Sequence, residues 1–138
     1  MNVFNCGGII VSKNHILSAA HCFIRERPVN AADVTVYIGS TKLGRGTQYN
    51  VTDLKIHESY HSSSTSMNDI ALLTLSQDIE MGEDVAAACL PTEPVENYVG
   101  QTLIVSGWGY MRDNKETEDL QVLENLEIMA TNMYPGYG

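Results

Sequence analysis

The residues best equipped for chemistry stand near the start of the chain, where Cys6 precedes two glycines and His21-Cys22 follows two alanines. An imidazole exchanges protons near neutral pH, so a histidine aimed at solvent is a natural general base for a hydrolytic site. Ala19 and Ala20 are small enough for the backbone to approach its neighbours closely, which leaves His21 free to point outward. Cys6 and Cys22 offer two mutually exclusive chemistries. As thiolates beside His21 they would form a three-ligand metal site. Oxidised, they would close a short loop, a cross-link that stabilises by about 3 kcal/mol on chain-entropy grounds. Cys89 is the third cysteine and is left over in either case.

The elements that must position these groups read as strands. Residues 6–11 and 16–22 are short apolar runs separated by Ser12-Lys13-Asn14-His15, the pattern of a tight hairpin. After a polar loop over 25–33, residues 34–38 alternate and are β-branched, predicting a half-buried strand. Residues 39–46 hold three glycines and predict a turn region. They and their successors up to Thr52 contain no carboxylate, which argues against a calcium loop there.

Residues 48–57 predict a longer strand with an irregularity. Tyr49 and Val51 set one phase, whereas Leu54 and Ile56 follow the other, so one residue must slip as in a β-bulge. Asn50-Val51-Thr52 within it is an N-glycosylation sequon. Residues 58–67 are a serine-rich loop, and 70–75 are a continuous apolar run that predicts a strand covered on both faces. A proline-containing acidic connection spans 77–99, and another strand is expected over 102–105. Residues 116–129 are ambiguous. Leu120, Leu123 and Glu127 have helical spacing, whereas Leu120, Val122, Leu126 and Ile128 fit alternation. Residues 132–138 read as a frayed end.

Read together, the motifs resemble the trypsin-like, chymotrypsin-fold serine proteases. Cys6-Gly7-Gly8 is followed by Ile16-Leu17-Ser18-Ala19-Ala20-His21-Cys22, similar to the segment that carries that family's catalytic histidine. Asn68-Asp69-Ile70-Ala71-Leu72-Leu73 resembles the segment of its catalytic aspartate. Ala88-Cys89-Leu90-Pro91 and Ser106-Gly107-Trp108-Gly109 match two later landmarks in the right order.

The resemblance implies an all-β fold, an incomplete chymotrypsin-like double β-barrel. Most of barrel one, without its first strand, would occupy residues 1–92, and the connection and first hairpin of barrel two would occupy 93–138. It also implies His21 as the catalytic base, Asp69 as the group that orients it, and a disulfide between Cys6 and Cys22. It tips residues 116–129 towards strand. In many relatives the cysteine corresponding to Cys89 bonds a propeptide or another chain segment; an unpaired buried thiol is the alternative here. His15, His57 and His61 are expected to be structural or exposed.

The family's nucleophile lies in a Gly-Asp-Ser-Gly-Gly segment, and no such segment occurs in these 138 residues. Ser18, Ser106 and Ser62 to Ser66 lack the flanking glycines that create an oxyanion hole, so none is expected to substitute. The expectation is therefore a piece of a trypsin-like serine endopeptidase that does not cleave peptides as it stands. The runner-up is a non-catalytic protease-homologue module that binds a partner through the old cleft. Implied partners are a polypeptide substrate in the complete enzyme, a protein inhibitor and a disulfide partner for Cys89. Neither a cofactor nor a metal is expected.

Bulk properties agree with a globular domain, at 43% hydrophobic and 18% charged residues. The net charge of −9 is uneven: residues 1–77 hold 6 basic and 5 acidic side chains, and 78–138 hold 2 and 12. That balance argues against nucleic acid and anionic membranes as partners. A disulfide implies an oxidising, extracellular setting, yet residues 1–5 have no signal-peptide character. The expected explanation is that the natural N-terminus lies further upstream.

Overall fold

The computed structural model describes residues 6–24, 29–60, 67–109 and 117–130. Expectations for residues 1–5, for His61 and the serine run 62–66, and for the end at 132–138 lie outside the described residues. The chain divides into two compact units, Met1–Cys89 and Leu90–Gly138.

The first unit is a five-stranded antiparallel sheet. Its strands are β1 (Ile9–Ile10), β2 (His15–Ser18), β3 (Thr35–Ile38), β4 (Thr47–Ile56) and β5 (Ala71–Leu75), in the spatial order β1-β2-β5-β4-β3. The expected hairpin is present, with Ile10 opposite Ile16. Gly8 allows its chain to lie this close: a Cβ there would sit 2.6 Å from Ile16 Cγ2. Gly39, Gly44 and Gly46 all take left-handed φ values in the turn before β4.

The long strand β4 serves two neighbours in succession. Thr47–Asn50 pair with β3, and from Val51 onward the strand pairs with β5. The register shifts between Val51 and Asp53, the slip that the side-chain pattern demanded. A bulge adds local twist, which lets one strand curl from one part of the sheet into the other. Asn50 is exposed, and the Thr52 hydroxyl donates to the Thr74 carbonyl at 3.2 Å.

The core collects alternate residues of these strands: Ile16 from β2, Tyr49 and Val51 from β4, and Ala71, Leu73 and Leu75 from β5, joined by Cys22, Phe23 and Ile79. β5 buries one face more fully than the other, since Leu72 and Thr74 are only half-buried. Tyr49 brings a hydroxyl into this apolar cluster, and that oxygen accepts the Glu80 backbone N–H at 3.3 Å. A buried phenol normally needs such a partner.

The second unit contains a short 3-10 turn (Val95–Tyr98) and one antiparallel hairpin, β6 (Thr102–Gly107) with β7 (Gln121–Glu127). Two further bonds, Gly100 N–H to Ile128 carbonyl at 2.8 Å and Ile128 N–H to Gln101 carbonyl at 2.9 Å, continue the ladder. The ambiguous segment is thus a strand. Cross-strand pairing with β6 outweighs the helix propensity of its leucines and glutamates, as tertiary context commonly does.

Candidate catalytic site

His21 and Asp69 are 48 positions apart in sequence and in contact in space. The pairing of β2 with β5 brings this about. Its last register pair is Ser18 with Ala71, so the chain leaving β2 and the chain entering β5 meet at one end of the sheet. The expected strand does not run on to the histidine. Beyond Ser18 the backbone turns through a single 3-10 turn, Ala20–Cys22. Ala20 is fully buried and Cys22 nearly so, whereas His21 between them faces out. Alanine is what the buried position accepts, and the turn's geometry directs the imidazole to solvent.

Asp69 grips this histidine twice. One carboxylate oxygen accepts the His21 backbone N–H at 2.9 Å, and the other lies 2.7 Å from ring Nδ1. The His21 side chain is 61% exposed and that of Asp69 22%, so the ring is accessible while its anchor is shielded. The ring bond and the backbone bond from His21 hold the Asp69 carboxyl below its ordinary value of 3.8, against a smaller opposing effect of desolvation. With Nδ1–H donated to a carboxylate, a neutral ring carries its lone pair on Nε2. That is the tautomer a general base needs.

The residue that aims the carboxylate is one the sequence motif contained without a role of its own. Asn68 has a left-handed φ of 59°, a conformation that asparagine tolerates better than most residues. Its amide donates to the Ser59 carbonyl at 3.2 Å, and its own carbonyl accepts Ile70 N–H at 2.7 Å. The signal was available only as an asparagine preceding the aspartate. Nothing local identifies its partner nine residues earlier.

Cys6 and Cys22 are joined in a disulfide, with their Cα atoms 6.2 Å apart. Cys6, His21 and Cys22 place their donor atoms within 4.8 Å of one another. Oxidised sulfurs are not thiolates, the form that ligates a metal, so in this state the cluster is a cross-link beside a histidine. The bond ties the start of β1 to the turn holding His21. Ser18 adds a second tie through its hydroxyl, which donates to the Gly7 carbonyl at 2.9 Å. Cys89 is free and exposed, which removes the alternative of a thiol packed in the core.

The other two described histidines do other work. His15 Nδ1 lies 2.8 Å from the Ser12 hydroxyl inside the β1–β2 turn, and His57 Nδ1 accepts Ser59 N–H at 3.1 Å. Among the described residues no serine hydroxyl hydrogen-bonds His21, and Ser106 lies on β6 in the second unit.

Comparison with known proteins places this geometry in context. The family model described as Trypsin matches residues 1–134. The chain is 34% identical to venom serine protease 34 of Apis mellifera, over 96% of this chain and 35% of that protein. It is 36% identical to trypsin Tyr p 3.0101 of Tyrophagus putrescentiae, over 92% and 44% respectively. With the fibrinolytic enzyme isozyme C of Lumbricus rubellus it shares 32% identity, over 92% and 53%. The chain therefore spans from a third to a half of these relatives. Among solved structures it is similar to neuropsin, a serine protease expressed in the limbic system of mouse brain. The TM-score is 0.79 at 26% identity, covering 97% of this chain and 60% of that one. That likeness and the two sheets identify the fold as an incomplete chymotrypsin-like double β-barrel.

Proposed function

The chain belongs to the trypsin family of serine proteases, and from that premise we propose that it carries the acid-base half of a peptide-cleaving site, with His21 as base and Asp69 as its orienting carboxylate. The observation that carries this reading is the double contact of Asp69 with the backbone and the ring of His21. In such a reaction a serine hydroxyl attacks the scissile carbonyl while the imidazole Nε2 takes its proton. The carboxylate stays ionised and stabilises the imidazolium, which then protonates the leaving amine. Water repeats the sequence to release the acyl group.

Polypeptides are the substrate class the family acts on. Within these 138 residues no serine stands in a Gly-Asp-Ser-Gly-Gly segment, so the chain by itself is proposed not to turn over peptides. Loss of the nucleophile alone lowers turnover by roughly a millionfold in a serine protease. An extracellular setting is proposed from the disulfide and from the venom relative.

The test pairs an active-site serine label of the fluorophosphonate type with a fluorogenic peptide. The purified chain is expected to give neither stoichiometric labelling nor hydrolysis. Labelling of any of its serines would overturn the proposed incompetence. The assignment of His21 falls instead if the proton NMR spectrum shows no downfield His21 Nδ1–H resonance that Asp69→Asn removes.

A further inference from the structure

Neither the core nor the acid-base pair gives a role to Asn50-Val51-Thr52, and no other asparagine of the chain has serine or threonine two residues on. The motif lies in β4. Asn50 is the last residue paired with β3, opposite Thr35, and Val51 is the first paired with β5, opposite Leu75. Val51 is 4% exposed, whereas Asn50 and Thr52 on either side of it face solvent. Strand alternation thus turns the carboxamide outward and spends the middle residue on packing.

Backbone and side chain of Asn50 are used differently. Its carbonyl accepts the Ser76 N–H at 2.9 Å, so the main chain is held between two strands. Its carboxamide has no hydrogen-bond partner among the described residues. Thr35 opposite and Thr52 beyond are exposed, so a group attached here meets hydroxyls and not an apolar surface. Such a group also leaves the dyad clear. Ala71, which pairs with Ser18 below the His21 turn, is four residues from Leu75 along β5. That is about 13 Å of strand.

We propose that Asn50 carries an N-linked oligosaccharide, attached before β4 pairs with β5. The donor is a polyisoprenyl-pyrophosphate oligosaccharide. The carboxamide nitrogen bonds the anomeric carbon of its first N-acetylhexosamine, and the bond from that carbon to the pyrophosphate oxygen breaks. The lipid pyrophosphate leaves with the electron pair, one carboxamide proton passes to a base of the transferase, and nothing is oxidised or reduced. The order of events follows from Thr52. Its hydroxyl is the part of the motif a transferase recognises, and in the folded chain it donates to the Thr74 carbonyl at 3.2 Å. With Asn50 and Val51 also tied into the sheet, only the unfolded chain offers the motif to an enzyme. The inference rests on the extracellular setting proposed above and is independent of the roles given to His21 and Asp69.

The test expresses the whole chain behind a cleavable secretion signal in cultured animal cells. Enzymatic deglycosylation in heavy-oxygen water, followed by peptide mass spectrometry, is expected to show Asn50 converted to labelled aspartate. Asn50→Gln and Thr52→Ala should each abolish the oligosaccharide, and Thr52→Ser, which keeps the hydroxyl, should retain it. Cell-associated chain is scored beside secreted chain, so a variant that fails to fold still gives a reading. An intact Cys6–Cys22 bond with unmodified Asn50 would overturn the site and leave the setting standing. Absence of both would overturn the setting and the site with it. A second arm presents the purified chain to detergent-solubilised transferase and the lipid-linked donor. The reduced, unfolded chain is expected to be modified and the folded, oxidised chain to be refractory; equal modification would overturn the stated order.

Discussion

Ser18 and Ala71 are the last pair of the β2–β5 ladder, and His21 and Asp69 lie just beyond them on the same side of its end. The site is therefore a property of strand register. Each of the two groups is within three residues of a fixed backbone pair, so little chain is left over in which their separation could vary.

The acid limb of stability should report the Asp69 contact. Its carboxyl is lowered in the folded chain, so the contribution is complete above the ordinary aspartate value of 3.8 and is lost as pH falls through the lowered folded value. Urea midpoints measured between about pH 6 and pH 2 should fall more steeply for the native sequence than for Asp69→Asn, with the divergence confined to the region below about pH 4. Parallel curves would remove the interaction from the account.

Removing the cross-link tests how much holds the turn in place. The double change Cys6→Ala and Cys22→Ala should lower unfolding free energy by about 3 kcal/mol, from a loop of this length. Denaturant titration reads the loss directly. A change below about 1 kcal/mol would mean that Ser18 and the ladder fix the turn unaided.

Packing makes a contrast between two residues six positions apart. Leu73 is 2% exposed within the core, and Leu73→Ala should cost about 2–5 kcal/mol. Met67 is 66% exposed, and Met67→Ala should stay within about 0.5 kcal/mol of the native sequence. Similar costs at the two positions would contradict the core as described.

At Asn125 the backbone itself is the object of the prediction. Asn125→Gly should be neutral or mildly stabilising, because glycine takes a positive φ without penalty. Asn125→Val should destabilise the hairpin by about 1–2 kcal/mol. Amide exchange along β6 and β7 is the measurement, and accelerated exchange in the valine variant alone is the expected pattern.

Much of the architecture was legible because side-chain alternation is a local signal. The strands around Ile16, Tyr49 and Leu73 and the slip between Val51 and Leu54 could be read from the residues alone. The segment around Leu123 could not be settled that way, because its leucines satisfy helical and extended spacing equally and only the partner strand decides. Even the extended reading grouped Val122 with Leu126, whereas the bulge at Asn125 puts them on opposite faces. The 3-10 turn at His21 was likewise invisible. The His21–Asp69 pair was legible only through the order of several motifs, since a separation of 48 positions carries no geometry. Ser59 and Asn68 escaped notice because their bond is between a side chain and a distant carbonyl.

Cys89 has a practical consequence. The other two sulfurs are spent on each other, so this thiol offers a single attachment point for a maleimide dye or nitroxide without any engineering of the sequence. It is the last residue of the first unit, so a probe there labels that unit at its end and leaves the His21 turn untouched.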